Sequence, residues 1–141
     1  MRSPVEWMVA TMRALDLPAS VARPEWFLER CGQQLYGPPN VGGWKGNEAW
    51  VATSAAWARG SFASHCQWQA RDRGVFAGYD RMTPAAAAQG AFERFGLTDP
   101  SPATRAAVEA YVRGEQTARR SWAVVPSLVV LMMMSPDHQL A

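Results

Sequence analysis

The chain has 141 residues, 48% of them hydrophobic and 18% charged, with a formal net charge of +2. That is enough apolar material for one domain's core, and too little charge for a disordered chain or a strongly basic nucleic-acid binder. The longest apolar run, Leu128 to Met134, has seven residues, against the roughly 20 that a membrane span needs, and two cysteines exclude a disulfide framework.

Ser3-Pro4-Val5-Glu6 predicts a helix start: Ser3 caps, Pro4 fits the first helical position, and Glu6 closes a capping box. Val5, Met8, Val9, Met12 and Leu15 follow at helical spacing, which predicts a helix from Pro4 to Leu15 ahead of Pro18. Pro24 opens a second helix reaching Leu35, with Phe27, Leu28, Cys31 and Leu35 as its stripe. From Tyr36 to Gly46 the chain holds Gly37, Pro38, Pro39, Asn40, Gly42, Gly43 and Gly46, a density of breakers that predicts a long loop. Asn47 is placed to cap a third helix to Gln69, with Glu48 in its first turn and Trp50, Val51, Ser54, Trp57, Ala58 and Phe62 at helical spacing. Gly60 inside it favours a bend.

Arg71 to Arg81 reads as a connector. Thr83-Pro84 repeats the cap-then-proline start for a helix from Ala85 to Phe95 that Gly96 closes. Ser101-Pro102 repeats it again for a helix to Arg113 closed by Gly114, with Ala106, Val108, Ala110 and Tyr111 on its apolar faces. The last helix is predicted from Ser121 to Met134, with Pro126 near its first turns and Val129 to Met134 apolar all round, hence buried on every side. Ser135-Pro136 ends it and leaves a tail. Nothing alternates with period two over a useful length, so the fold class is all-α, an irregular bundle of about six helices with one long Pro/Gly-rich loop.

Arginine outnumbers lysine thirteen to one, with Lys45 the only lysine. The arginines are scattered and only Arg119-Arg120 are adjacent. Clustered cations are what a phosphate backbone selects, so no nucleic-acid partner is expected. Cys31 and Cys66 stand far apart with no short-spaced second cysteine, which argues against a metal site and for free buried thiols, a disulfide being the alternative. Met1-Arg2-Ser3-Pro4 runs straight into an amphipathic segment, without the charged and apolar regions of an export signal.

Several runs occur in one order: Arg2-Ser3-Pro4-Val5-Glu6, Gly32-Gln33-Gln34-Leu35-Tyr36, Pro38-Pro39-Asn40-Val41-Gly42-Gly43-Trp44, Glu48-Ala49-Trp50 and Met134-Ser135-Pro136-Asp137-His138-Gln139. That order resembles the C-terminal part of the bacterial domain of unknown function 1800 family. Its members carry Lys-Ser-Pro-Val-Glu, a Gly-Gln-x-Leu-Phe turn, a Pro-Pro-Asn-Val-Lys-Gly-Trp loop and a Ser-Pro-Glu-Phe-Gln ending. The likeness is strongest from Arg2 to Phe62 and returns at Ser135. Gly42 stands where the family usually has lysine, and Lys45 where it usually has proline. The resemblance implies a C-terminal piece of a longer, often exported, bacterial protein, and implies no reaction.

The best candidate site is the loop, with Pro38, Pro39, Asn40, Trp44 and Trp50. Prolines preset the backbone and glycines allow close approach of a partner, so Trp44 and Trp50 could stack a sugar ring or grip a peptide. The competing reading has Trp44 folded inward as a plug. The seven tryptophans are spread over several helices, which means core or a face turned to a partner, with an exposed aromatic platform as the alternative. No catalytic residue, metal ligand or cofactor is assigned. Glu6, Glu25, Glu29 and Glu48 lie near helix starts, Asp80, Asp99 and Asp137 in connectors or the tail, and His138 in the tail as a solvated or capping residue.

The expected organisation is a single helical unit over 1–141, or a fragment with its motif-bearing part at 1–69 and C-terminal helices at 83–141. The expected function is a structural or interaction module, packed on the rest of a larger polypeptide, on a protein partner or on a second copy. The alternatives are a ligand- or polymer-binding module using the loop, or part of an enzyme, such as a hydrolase, whose catalytic groups lie N-terminal to this chain.

Overall fold

The computed structural model describes residues 1–44 and 50–140. Within them lie eight helices and no strand: α1 (Pro4–Ala14), α2 (Ala19–Ala22), α3 (Pro24–Arg30), α4 (Thr53–Asp72), α5 (Pro84–Arg94), α6 (Pro102–Thr117), α7 (Ser121–Met134) and α8 (Pro136–Leu140), with a 3₁₀ turn at Tyr79–Arg81. Six have seven or more residues, so the fold is the irregular all-α bundle that the sequence predicts. The Asn47 cap and Glu48, with Lys45, Gly46 and Ala49, lie outside the described residues.

Three helix starts follow their caps, whereas the helix expected from Asn47 to Gln69 runs from Thr53 to Asp72 and starts behind Ala52, which makes no side-chain cap. Ser3 Oγ accepts from the Glu6 N–H at 3.3 Å and the Ser3 N–H donates to Glu6 Oε2 at 2.9 Å, the reciprocal pair of a capping box. Thr83 and Ser101 cap α5 and α6 through the N–H groups of Ala86 and Thr104. The stops are less obedient. Helix α3 ends at Arg30 rather than Leu35, because Gly32 turns left-handed (φ 76°) and the Gln33 N–H folds back to the Leu28 carbonyl at 2.9 Å. Leu35 therefore leaves the helical stripe and is exposed. Gly114 does not close α6. The helix runs through it to Thr117, and Arg119 supplies the left-handed stop at φ 57°. Two short helices escape the sequence reading, α2 after Pro18 and α8 after Pro136.

Helix α7 is the axis of the bundle, packed on α4, α5, α6, α8 and the 3₁₀ turn. No described side chain from 123 to 135 is exposed. Val124, Leu128, Val129, Met132 and Met133 are buried, whereas Val130, Leu131 and Met134 are half-buried, so the expected burial on every side holds for part of the run. Its largest contact is with α4, whose buried stripe is Ala55, Ala58, Arg59, Phe62, Ala63, Cys66 and Ala70. That stripe is rotated from the expected one, leaving Val51, Ser54 and Trp57 exposed. The small side chains let α4 approach α7 closely, and the fit outweighs the larger transfer energy of burying tryptophan. The connector after α4 contributes Phe76, fully buried, to the same core.

Candidate functional site

The loop selected from sequence is placed from Gly32 to Trp44 among the described residues. Pro38, Pro39 and Asn40 are exposed, and Trp44 and Trp50 are half-buried. Asn40 turns the chain itself: its Oδ1 accepts from the Gly42 N–H at 2.8 Å and its carbonyl from the Gly43 N–H at 3.0 Å. Gly43 takes the left-handed conformation (φ 84°), open to glycine at no steric cost. Trp44 and Trp50 share no ring contact. The Trp44 indole N–H is buried and reaches no acceptor among the described residues. Tyr36 and Val41 are fully exposed on the same loop.

The exposed aromatic cluster lies elsewhere, where α3 meets α4. Trp26 and Trp57 are 44% and 58% exposed. The Arg30 guanidinium sits 3.8 Å from the Trp26 ring centroid and 5.6 Å from that of Trp57, bridging the two helices by cation–π contacts. Trp26 also stands edge-on to Phe27 at 4.7 Å, which fixes its ring from below. Beside it, Arg23, Trp26, Phe27 and His65 line an open cleft of about 300 Å³. Arg23 holds a left-handed backbone (φ 48°), ending α2 and preceding Pro24. His65 Nε2 lies 3.0 Å from the Val21 carbonyl, so Nε2 carries the hydrogen and donates. The sequence signal for this cluster was the i, i+4 pair Trp26–Arg30 on a predicted helix; what hid it was the misplaced face of α4.

A second polar group is wholly internal. His138, expected in the tail as a solvated or capping residue, is fully buried on the inner face of α8. Arg2 Nη1 lies 3.1 Å from His138 Nδ1. Arginine offers only donors, so Nδ1 accepts and Nε2 carries the hydrogen, donating to Thr11 Oγ1 at 3.2 Å. Burial first, then the charges of Arg2 and Arg59, push the imidazole down to about 4, which keeps it neutral. The ring stands edge-on to Phe95 at 5.1 Å. Arg59 is 1% exposed. Its Nη2 donates to the Arg2 carbonyl at 2.9 Å and its guanidinium lies 5.0 Å from the Trp7 ring centroid, but Nε and Nη1 have no partner. Burial lowers its affinity for the proton, with the nearby Cys31 thiol opposing.

The two cysteines are free and buried, as the sequence reading favoured. Burial pushes the Cys66 thiol up to about 12 and also raises Cys31, so neither is set up as a thiolate nucleophile. Among the described residues no three His, Cys, Asp or Glu side chains gather as a metal site. Asp137 is no tail residue: its carboxylate accepts from the Ser101 N–H at 3.1 Å and Oγ at 3.0 Å. Glu115, which is buried, accepts from Arg120 Nε and Nη2, one edge of the guanidinium, at 2.9 Å each. These carboxylates are spent on structure. No described helix is long and apolar enough to cross a membrane. A family model described as Protein of unknown function (DUF1800) matches residues 1–140. No curated protein and no solved structure matches the chain.

Proposed function

The chain belongs to the DUF1800 family, whose description assigns no reaction, and on that premise we propose that it is a helical interaction module that docks on a protein surface. The docking face is the one built by α3, the start of α4 and the described part of the loop, residues 31–44. The partner is the rest of a longer polypeptide, of which residues 1–141 form a unit, rather than nucleic acid. The observation that carries this reading is the Trp26–Arg30–Trp57 bridge, an exposed aromatic pair held rigid by a cation. Rigid tryptophan and arginine are the residues that dominate protein interfaces, because little side-chain entropy is lost when they bind. Leu35, Tyr36, Val41 and Val51 expose further apolar surface along the same stretch of chain. Covering the exposed half of each tryptophan removes about 100 Å² apiece from water, a gross gain of about 5 kcal/mol before the cost of association. In this reading Pro38, Pro39 and Asn40 shape the rim, and the half-buried Trp44 and Trp50 anchor the loop's ends.

The test is hydroxyl-radical footprinting of the protein as isolated from its source cell, against purified 1–141. Docking predicts that Trp26 and Trp57 are oxidised several-fold more slowly in the native material, with Trp7 slow in both. Equal rates for Trp26 and Trp57 in the two samples would refute it.

A further inference from the structure

We propose that the cleft lined by Arg23, Trp26, Phe27 and His65 is a receptor for one apolar side chain with a carboxylate beside it. The ligand's source, a segment of the docked protein surface, rests on the function proposed above; the ligand's chemistry rests on the cleft.

The volume, about 300 Å³, sits at the small end of binding sites and suits one amino-acid side chain. The floor is Phe27, 7% exposed and therefore already fixed by the core. Trp26 makes one wall. Arg30 on its ring and the edge contact with Phe27 restrict its rotation before any ligand arrives. The opposite wall is His65, whose ring lies 5.7 Å from Phe27 at 36° and is tethered by its Nε2–H to the Val21 carbonyl. These rings present an apolar, preorganised slot, which is the arrangement that loses least entropy on binding.

The rim sets the charge. Arg23 is exposed, and among the described residues it makes no ion pair; the ion pairs there are Arg81–Asp80 and Arg120–Glu115. Its backbone is held left-handed between α2 and Pro24, with its N–H bonded to the Ala19 carbonyl at 2.8 Å. An arginine that faces an aromatic slot without its own counterion selects an anion. Its planar fork matches a carboxylate, and a carboxylate next to an apolar side chain meets fork and slot together. The acid belongs either to a chain terminus or to an adjacent Asp or Glu, and the two sources are separable by probe.

Binding is read by NMR from the indole N–H signal of Trp26 in the full 1–141 chain. The probes are N-acetylphenylalanine, its amide, and N-acetyl-aspartyl-phenylalaninamide. The proposal predicts saturable millimolar binding of the first, and binding of the amide weaker by about tenfold, the worth of one exposed charge-assisted hydrogen bond. If the dipeptide matches the free acid, the acid comes from a side chain; if it matches the amide, from a chain terminus. R23M keeps the slot and removes the fork, so acid and amide should then bind alike. W26A removes the wall and should abolish both; because the reporter indole goes with it, binding to this variant is read from the ring signals of His65 on the opposite wall, with the far-ultraviolet circular dichroism showing that the helices remain. Acid and amide binding equally to the unaltered chain, or no saturable shift at Trp26, would overturn the proposal. Loss of probe binding with retained native protection of Trp26 and Trp57 would remove the cleft and leave the docking face. Probe binding without that protection would keep the cleft's chemistry and remove the docking face as its source of ligand.

Discussion

Stability should fall as pH drops from 7 to 5, and His138 should be the cause. In the native chain the imidazole is neutral and held down to about 4, below its ordinary 6.5, by burial and by the positive charges of Arg2 and Arg59. The unfolded chain takes up a proton near pH 6.5; the folded one resists until about pH 4. Between those values the unfolded state binds more protons, so stability is full above 6.5, declines as pH falls, and levels off below 4. The difference, 6.5 minus 4, multiplied by about 1.4 kcal/mol per pH unit, is about 3 kcal/mol. Glu6 and Asp137 are both lowered, by their hydrogen bonds to Ser3 and to Thr104 and Ser101 respectively. Their contributions are lost only as pH falls below the ordinary carboxylate range, so pH 5 isolates the histidine. Over the window from 7 to 5 the loss is about 2 kcal/mol, a large share of a domain's net stability. Urea unfolding at several pH values, in the unaltered chain and in H138Q, measures it, and H138Q should lack that decline. An NMR titration placing the His138 imidazole near 6.5, or parallel pH curves for the two proteins, would refute the reasoning.

Arg59 should be replaceable by an uncharged, unbranched side chain without loss. R59M removes a buried cation whose Nε and Nη1 have no partner, at the cost of one hydrogen bond to the Arg2 carbonyl and the contact with Trp7. Such exchanges are neutral or stabilising, whereas R59A leaves a cavity and should cost about 3 kcal/mol in urea unfolding. R59M should also raise the His138 pKa, since Arg59 is one of the charges lowering it. Cys66 should not react with a disulfide reagent at pH 8 until the protein unfolds, because its thiol is fully buried and pushed up to about 12; reaction at the rate of a free thiol would mean that this packing is wrong.

Helix starts were legible because their chemistry is local. Ser3, Thr83 and Ser101 each sit one residue before a proline, and a cap needs only its own neighbouring N–H groups. Helix ends were legible only where glycine carries the left-handed turn and nothing else competes. Gly96 does so at φ 69° and closes α5 as expected. Gly114 looks the same in sequence, but Glu115 one residue further is buried and paired with Arg120, so packing carries α6 past the glycine. The face of α4 was illegible for a similar reason. Trp57, with Trp50 and Val51 just ahead of the helix, weighs most in a periodicity reading, yet the core selects the alanines of α4, because α7 brings the bulk. Periodicity leaves Trp57 open between core, a face turned to a partner and an exposed platform, and gives no sign of the bridge it forms with Trp26 through Arg30.

The fate of His138 shows what a tail motif is for. The Arg2-Ser3-Pro4-Val5-Glu6 opening and the Ser135-Pro136-Asp137-His138-Gln139 ending lie at opposite ends of the sequence, and a local reading treats the first as a helix cap and the second as a helix stop with a tail. In the fold they are one device. The Arg2 N–H donates to the Gln139 carbonyl at 2.8 Å, and the Arg2 guanidinium meets His138. Thr11 takes the other side of that imidazole, and the Trp7 indole N–H donates to the Met133 carbonyl at 3.0 Å. The ends of the chain thus clamp α1 onto α7 and α8. On the other flank of α1, the Val5 N–H donates to Gln33 Oε1 at 3.0 Å, fixing the residue from which the Pro/Gly-rich loop departs. The recurring motifs therefore read more readily as a frame than as a reaction centre: they position α3 and the loop beside α4. Arg23, Trp26, Arg30 and Trp57 lie outside that frame and turn ring and cation surface to solvent.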